Sequence, residues 1–156
     1  MKMKTGLLTI AAAAGFSLSS AALAASGTTS FDVSVQVMAS CSISASNMSF
    51  ASITTGTTTN TDATSTLTVN CSSGTPFTIA LGNGTNYSAG RRLASGASYI
   101  NYFLYSDSSR SSQWNSTSGT GTGSDQNFTV YGRIPSGQSI SNTGIYADTI
   151  IATITY

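Results

Sequence analysis

From Phe31 to Val37 apolar and polar side chains alternate without a break, as Phe-Asp-Val-Ser-Val-Gln-Val. A period of two is the pattern of a half-buried strand, with Phe31, Val33, Val35 and Val37 on one face. This predicts a strand over about Thr29 to Met38. Shorter runs follow. One surrounds Cys41 and Ile43. Ser65 to Cys71 aligns Leu67, Val69 and Cys71, and the run after Pro76 aligns Phe77, Ile79 and Leu81. Tyr99 to Tyr105 is strongly aromatic and is predicted to be buried on both faces. Phe128 to Ile134 comes next, then Tyr146 to Tyr156, where Ile150, Ala152, Ile154 and Tyr156 share a face. None of these segments has a helical period, and the connections are rich in Ser, Thr, Gly and Asn. The reading is all-β. Two connections stand out. Gly82 to Ser98 contains the Arg91-Arg92 pair. Asp107 to Gln126 contains Trp114 and a Gly-Thr run, and it is long for a loop without structure of its own. A flexible tip, a hidden short strand and a binding loop are all open readings of it.

The chain opens differently. Lys2 and Lys4 precede an apolar centre that includes Leu7, Leu8, Ile10 and Ala11 to Ala14, and Ala22-Leu23-Ala24 is a small-residue cleavage signal. This is the layout of a secretory signal peptide over residues 1–24, cut between Ala24 and Ala25. The apolar stretch is short of the roughly 20 residues a spanning helix needs. Export is therefore expected, with no stable membrane insertion. About 130 residues remain, enough for one domain and one core.

Charge is scarce. Past the leader the basic residues are Arg91, Arg92, Arg110 and Arg133, set against Asp32, Asp62, Asp107, Asp125 and Asp148. No basic patch suits a phosphate backbone, so nucleic acid is not an expected partner. The chain has no His and no Glu, and past the leader no Lys. Without these usual bases, and without a nucleophile elbow, no enzyme activity and no catalytic residue are expected. The Gly119 to Gly123 run lacks the Lys that a phosphate-binding loop requires. Two cysteines without histidine cannot fill a zinc site, so no metal and no cofactor are expected. In an exported chain Cys41 and Cys71 read as a disulfide, worth roughly 3–4 kcal/mol for a loop of about 30 residues.

The order and spacing of several elements give the chain a family resemblance. These are the Val-x-Val run before Cys41, Cys71 followed by Gly74-Thr75-Pro76, and Tyr102-x-Leu104-Tyr105-x-Asp107 with Arg110 and Trp114. Val130 to Pro135 with Gln138, Gly144-Ile145-Tyr146-x-Asp148-Thr149 and the terminal Thr153 to Tyr156 complete the set. The chain resembles the spore coat U domain, the pilin domain of archaic (Csu-type) chaperone–usher pili of Gram-negative bacteria.

The resemblance implies an immunoglobulin-like sandwich lacking one strand, with about six strands over residues 39–156. Residues 25–38 would be a donor segment whose Phe31, Val33, Val35 and Val37 insert into a neighbouring subunit. It also implies a periplasmic chaperone that holds the Tyr156 carboxylate, an outer-membrane usher and neighbouring pilins as partners. The implied location is the periplasm in transit and then a cell-surface pilus serving adhesion and biofilm formation. A self-contained secreted coat or matrix protein and a minor tip adhesin are the alternatives.

Smaller features have structural readings. The tyrosines at 99, 102, 105, 131 and 146 are expected in core and sheet packing. Trp114 is equally open to exposure, a subunit contact or burial. Asp107 with Arg110 is expected to fix a loop, and Arg91-Arg92 to be a solvated pair.

Overall fold

The computed structural model describes residues 24–156. The signal-peptide reading falls almost wholly on residues 1–23, which lie outside the described residues. The chain divides into two units after Val35. Of the first, residues 24–35 form no strand or helix and are exposed.

The second unit, 36–156, is a β-sandwich. Its strands are β1 (Cys41–Ala45), β2 (Thr61–Cys71), β3 (Pro76–Leu81), β4 (Arg92–Ser95), β5 (Ser98–Asn101), β6 (Phe103–Tyr105), β7 (Ser116–Thr120), β8 (Asp125–Ile134) and β9 (Ala152–Thr155). One sheet has the order β1-β2-β8-β6 and the facing one β7-β3-β9, with β4-β5 as a separate hairpin. Every pairing is antiparallel.

The alternation of small apolar residues sets the core. Leu67, Val69 and Cys71 of β2 and Val130 and Ile134 of β8 point inward from the first sheet. Phe77 and Ile79 of β3 meet them from the second. Phe77 and Phe128 pack edge to face across the sandwich at 5.9 Å, a geometry that ring quadrupoles favour. Gly119 of β7 lies over the Phe77 ring, and a Cβ there would stand 2.6 Å from Cζ. Cys41 and Cys71 are directly opposed in the β1–β2 register and form the expected disulfide.

The fold class agrees with the sequence, but several boundaries do not. The run at 29–38 forms no strand and its residues are exposed. A strand needs a partner for its ladder, and residues 29–38 pair with nothing among the described residues. Tyr99 to Tyr105 is two strands in different sheets, broken at Tyr102. Only Ile100, Tyr102 and Leu104 are buried, while Tyr99, Asn101, Phe103 and Tyr105 face outward. Between Tyr146 and Tyr156 only Ala152–Thr155 is a strand. The long loop after Asp107 hides β7. Trp114 is buried in the core, and its backbone N–H donates to Leu104 O of β6 at 2.9 Å.

Replacing Cys41 and Cys71 together by Ser is expected to lower the unfolding free energy by about 3 kcal/mol. Urea unfolding of the oxidised protein and the variant, side by side, measures the difference.

Candidate functional site

The sandwich is open along one side. β1 leaves its sheet at Ala45, where Ser46 N–H still donates to Thr66 O at 2.9 Å. Beyond it, among the described residues, no backbone hydrogen bond joins residues 47–53 to another segment. They stay in place through their side chains, with Met48, Phe50 and Ile53 packed on the core. Gly132 of β8 makes this possible, because a Cβ there would collide with Met48 Sδ and stand 2.9 Å from Phe50 Cζ. On the other side, among the described residues, β9 pairs only with β3 and its outer edge is unpaired. β1 and β9 approach each other at one end.

The resulting cleft has a volume of about 1070 Å3. Its floor is core, including Leu67, Ile100, Leu104, Val130 and Ile134. Residues 45–55 form one wall and 142–152 the other. An open cleft with an apolar floor, beside a wall whose backbone has no partner over 47–53 among the described residues, has the form of a sheet position without its strand.

The second wall has no regular structure over 142–150, yet it is fastened at several points. Ala147 exchanges both backbone hydrogen bonds with Ala94 of β4, at 2.9 and 3.0 Å. Ser98, buried at the end of the β4–β5 hairpin, shares hydrogen bonds with Ser141 and Asn142. Asp148 is the hub. It accepts from Tyr102 Oη at 2.7 Å, from Thr85 Oγ1 at 2.8 Å, and from the backbone N–H and side-chain amide of Asn86 at 3.1 Å each. Burial disfavours the charged carboxylate, but the hydrogen bonds from Tyr102, Thr85 and the Thr149 and Asn86 amides outweigh it and hold the carboxyl below its ordinary range. Burial, reinforced by Asp148, pushes the Tyr102 phenol well up. Gly84 leaves room for this carboxylate, since a Cβ there would overlap Asp148 Oδ2.

The arginines depart from expectation. Arg91 donates to Gly82 O at 3.0 and 2.9 Å and to Leu81 O at 3.2 Å. Arg92 donates to Asn86 O at 2.9 Å and lies 4.1 Å over the Tyr99 ring. They are not a solvated pair but ties between the β4 hairpin and the loop before it. Arg110 does not pair with the Asp107 side chain. Its guanidinium reaches Asp62 at 3.3 Å, alongside the bidentate Arg133–Asp62 pair at 2.7 and 2.9 Å. Asp107 instead accepts from Ser109 and from the Ser111 and Ser112 amides, which hold its carboxyl low and fix the loop.

Phe31, Val33, Val35 and Val37 are 84 to 88% exposed. Ala24 and Ala25 are exposed, and Tyr156 is 58% exposed beyond β9. Sequence reasoning read 146–156 as one strand and missed the ties at Ser98, Ala147 and Asp148, which leave no periodic signal.

A family model for the Spore Coat Protein U domain matches residues 27–153. The chain belongs to this family. It is 39% identical over 100 residues to Protein U of Myxococcus xanthus, and it spans 55% of that protein's length. Among solved structures it resembles a chain in the CsuC–CsuE chaperone–tip adhesion subunit pre-assembly complex from archaic chaperone-usher Csu pili of Acinetobacter baumannii. The TM-score is 0.57 at 20% identity, covering 77% of this chain and 40% of that one. At that identity the likeness is one of fold, and it places this Spore Coat Protein U domain in the immunoglobulin-like class.

The Asp148 geometry sets a pH dependence. A carboxyl whose pKa is lowered in the folded state stabilises the fold above its unfolded pKa of about 3.9, and that stability is lost as pH falls through the folded value. Stability is thus expected to be flat from pH 7 to 5 and to fall below about pH 4. Asp148→Asn should lower stability by about 1–3 kcal/mol at pH 7 and flatten the acid limb. Urea unfolding of both proteins across this range tests it.

Proposed function

We propose that this chain is a structural, non-catalytic subunit of a secreted surface pilus, assembled by donor-strand complementation. The observation that carries the reading is the open cleft with an apolar floor between residues 45–55 and 142–152, whose first wall has no backbone partner over 47–53 among the described residues. Residues 25–38 match it in kind. They present apolar side chains at every second position from Phe31 to Val37 and form no strand of their own. Inserted into a neighbour, Phe31, Val33, Val35 and Val37 would cover the floor while the backbone pairs with both edges. Until then the cleft is an aggregation hazard, which supports a periplasmic chaperone as the first occupant and an outer-membrane usher as the site of exchange. The exposed Tyr156 carboxylate would be the chaperone's anchor. On this reading the signal peptide ends at Ala24, the protein passes through the periplasm to the cell surface, and the fibre serves adhesion and biofilm formation.

A second reading, a self-contained secreted coat protein, is supported by the match to the Spore Coat Protein U domain family. The two differ in whether subunits hold one another. Material sheared from the cell surface and run unboiled on a non-reducing SDS gel is expected to give a ladder that collapses to monomer on boiling. Val35→Asp should abolish the ladder, because it places a charge in an apolar floor. A single monomer band for the wild type, boiled or not, would favour the coat protein.

A further inference from the structure

Ile145 is the most exposed large apolar side chain among the described residues, at 90%, and it borders the cleft. Its backbone is braced. Gly144 before it has φ +152, and a Cβ there would stand 3.0 Å from Ser95 Oγ. Tyr146 after it packs on the core and donates its hydroxyl to Asn142 O at 2.8 Å, and the next residue, Ala147, is paired to Ala94. An isoleucine on a loose tip would carry little meaning. Here the fold holds one in water at the lip of an open apolar cleft, on the wall it fastens most firmly.

We propose that Ile145 is a rim residue that closes over the docked strand, and that the strand it closes on is residues 29–38 of a second copy of this chain. This rests on the pilus-subunit reading. That segment is the occupant because it is apolar on one face, exposed throughout and without a partner among the described residues. The floor would fix which side chains enter. Ile145 would cover the strand from the solvent side and act on how slowly it leaves, since differences between related complexes lie mostly in dissociation. The free domain gains nothing from this side chain.

The test uses the mature protein refolded with excess fluorescein-labelled peptide of residues 29–38, chased with unlabelled peptide. Ile145→Ser is expected to speed dissociation about 10- to 100-fold, the equivalent of losing one buried aliphatic side chain, and Ile145→Val by less than about 5-fold. The peptide-free melting temperature should not change in either variant. If wild type holds the peptide and Ile145→Ser releases it equally slowly, the rim role is refuted and the pilus reading stands. If Ile145→Ser lowers the peptide-free melting temperature, the side chain supports the domain itself and the inference fails. If wild type does not retain the peptide at all, the pilus-subunit reading fails and the inference with it.

Discussion

The rest of this structure depends on an apolar floor that the described residues leave uncovered. Buried N–H and C=O groups must be hydrogen-bonded, and an apolar floor must be covered. Along residues 47–53 the backbone has no partner among the described residues, and the apolar floor beside it is open. Such a cleft would collapse if its walls were free to move, because closing it would bury the floor. The disulfide ties the start of β1 to β2, and at the other end of β1 Met48 and Phe50 seat the first wall over Gly132. The Ala94–Ala147 pair, the Asp148 hub and the Ser98 hydrogen bonds hold the second. The cleft is kept open by covalent and polar ties set behind it, leaving its floor apolar.

The scarcity of charge fits this arrangement. Every charged side chain after Asp32 enters at least one hydrogen bond within the domain. Asp62 is held by Arg133 and Arg110, and Asp125 accepts from Asn70 at 2.7 Å. Asp148 and Asp107 organise loops, and Arg91 and Arg92 cap backbone carbonyls. These groups position the backbone. The chemistry the domain offers a partner is therefore that of a sheet edge and an apolar floor.

The core strands were legible because alternation is strongest where both neighbours are strands. Leu67, Val69, Phe77, Ile79 and Val130 all lie where the period puts them. Cysteine count and the export signal pointed to the disulfide. What stayed hidden lacked apolar contrast. β7 reads Ser-Thr-Ser-Gly-Thr and lies at an edge, so its only signature is the ladder to β3. The stretch before β9 looked like a strand, but at Ala147 its backbone is committed to Ala94 and to the Asn86 side-chain amide. The opposite error occurred at residues 29–38, where the pattern of a strand is present and the partner is not. Alternation reports which face a strand would bury and says nothing about which chain supplies the other half of the ladder.

Magnitudes indicate which half of that interaction would matter more in a pilus. Four apolar anchors contribute about 6–12 kcal/mol if fully buried. Ordering the seven residues from Phe31 to Val37 costs about 7–14 kcal/mol in backbone entropy. The two nearly cancel, so apolar burial alone would leave the strand free to exchange. The surplus must come from the ladders on its two sides, at about 0.5–1.5 kcal/mol per hydrogen bond, and from any economy in ordering. Valine at 33, 35 and 37 supplies such an economy, because a β-branched side chain has little χ1 freedom to lose. The intervening Asp32, Ser34 and Gln36 keep the free segment hydrated without interrupting the ladder. A cleft with one paired edge would hold such a strand weakly, whereas two unpaired edges double the hydrogen bonds for the same ordering cost. The physical reason for a strand-shaped gap in this sandwich, with no simple apolar pocket in its place, is that most of the net affinity would come from the backbone.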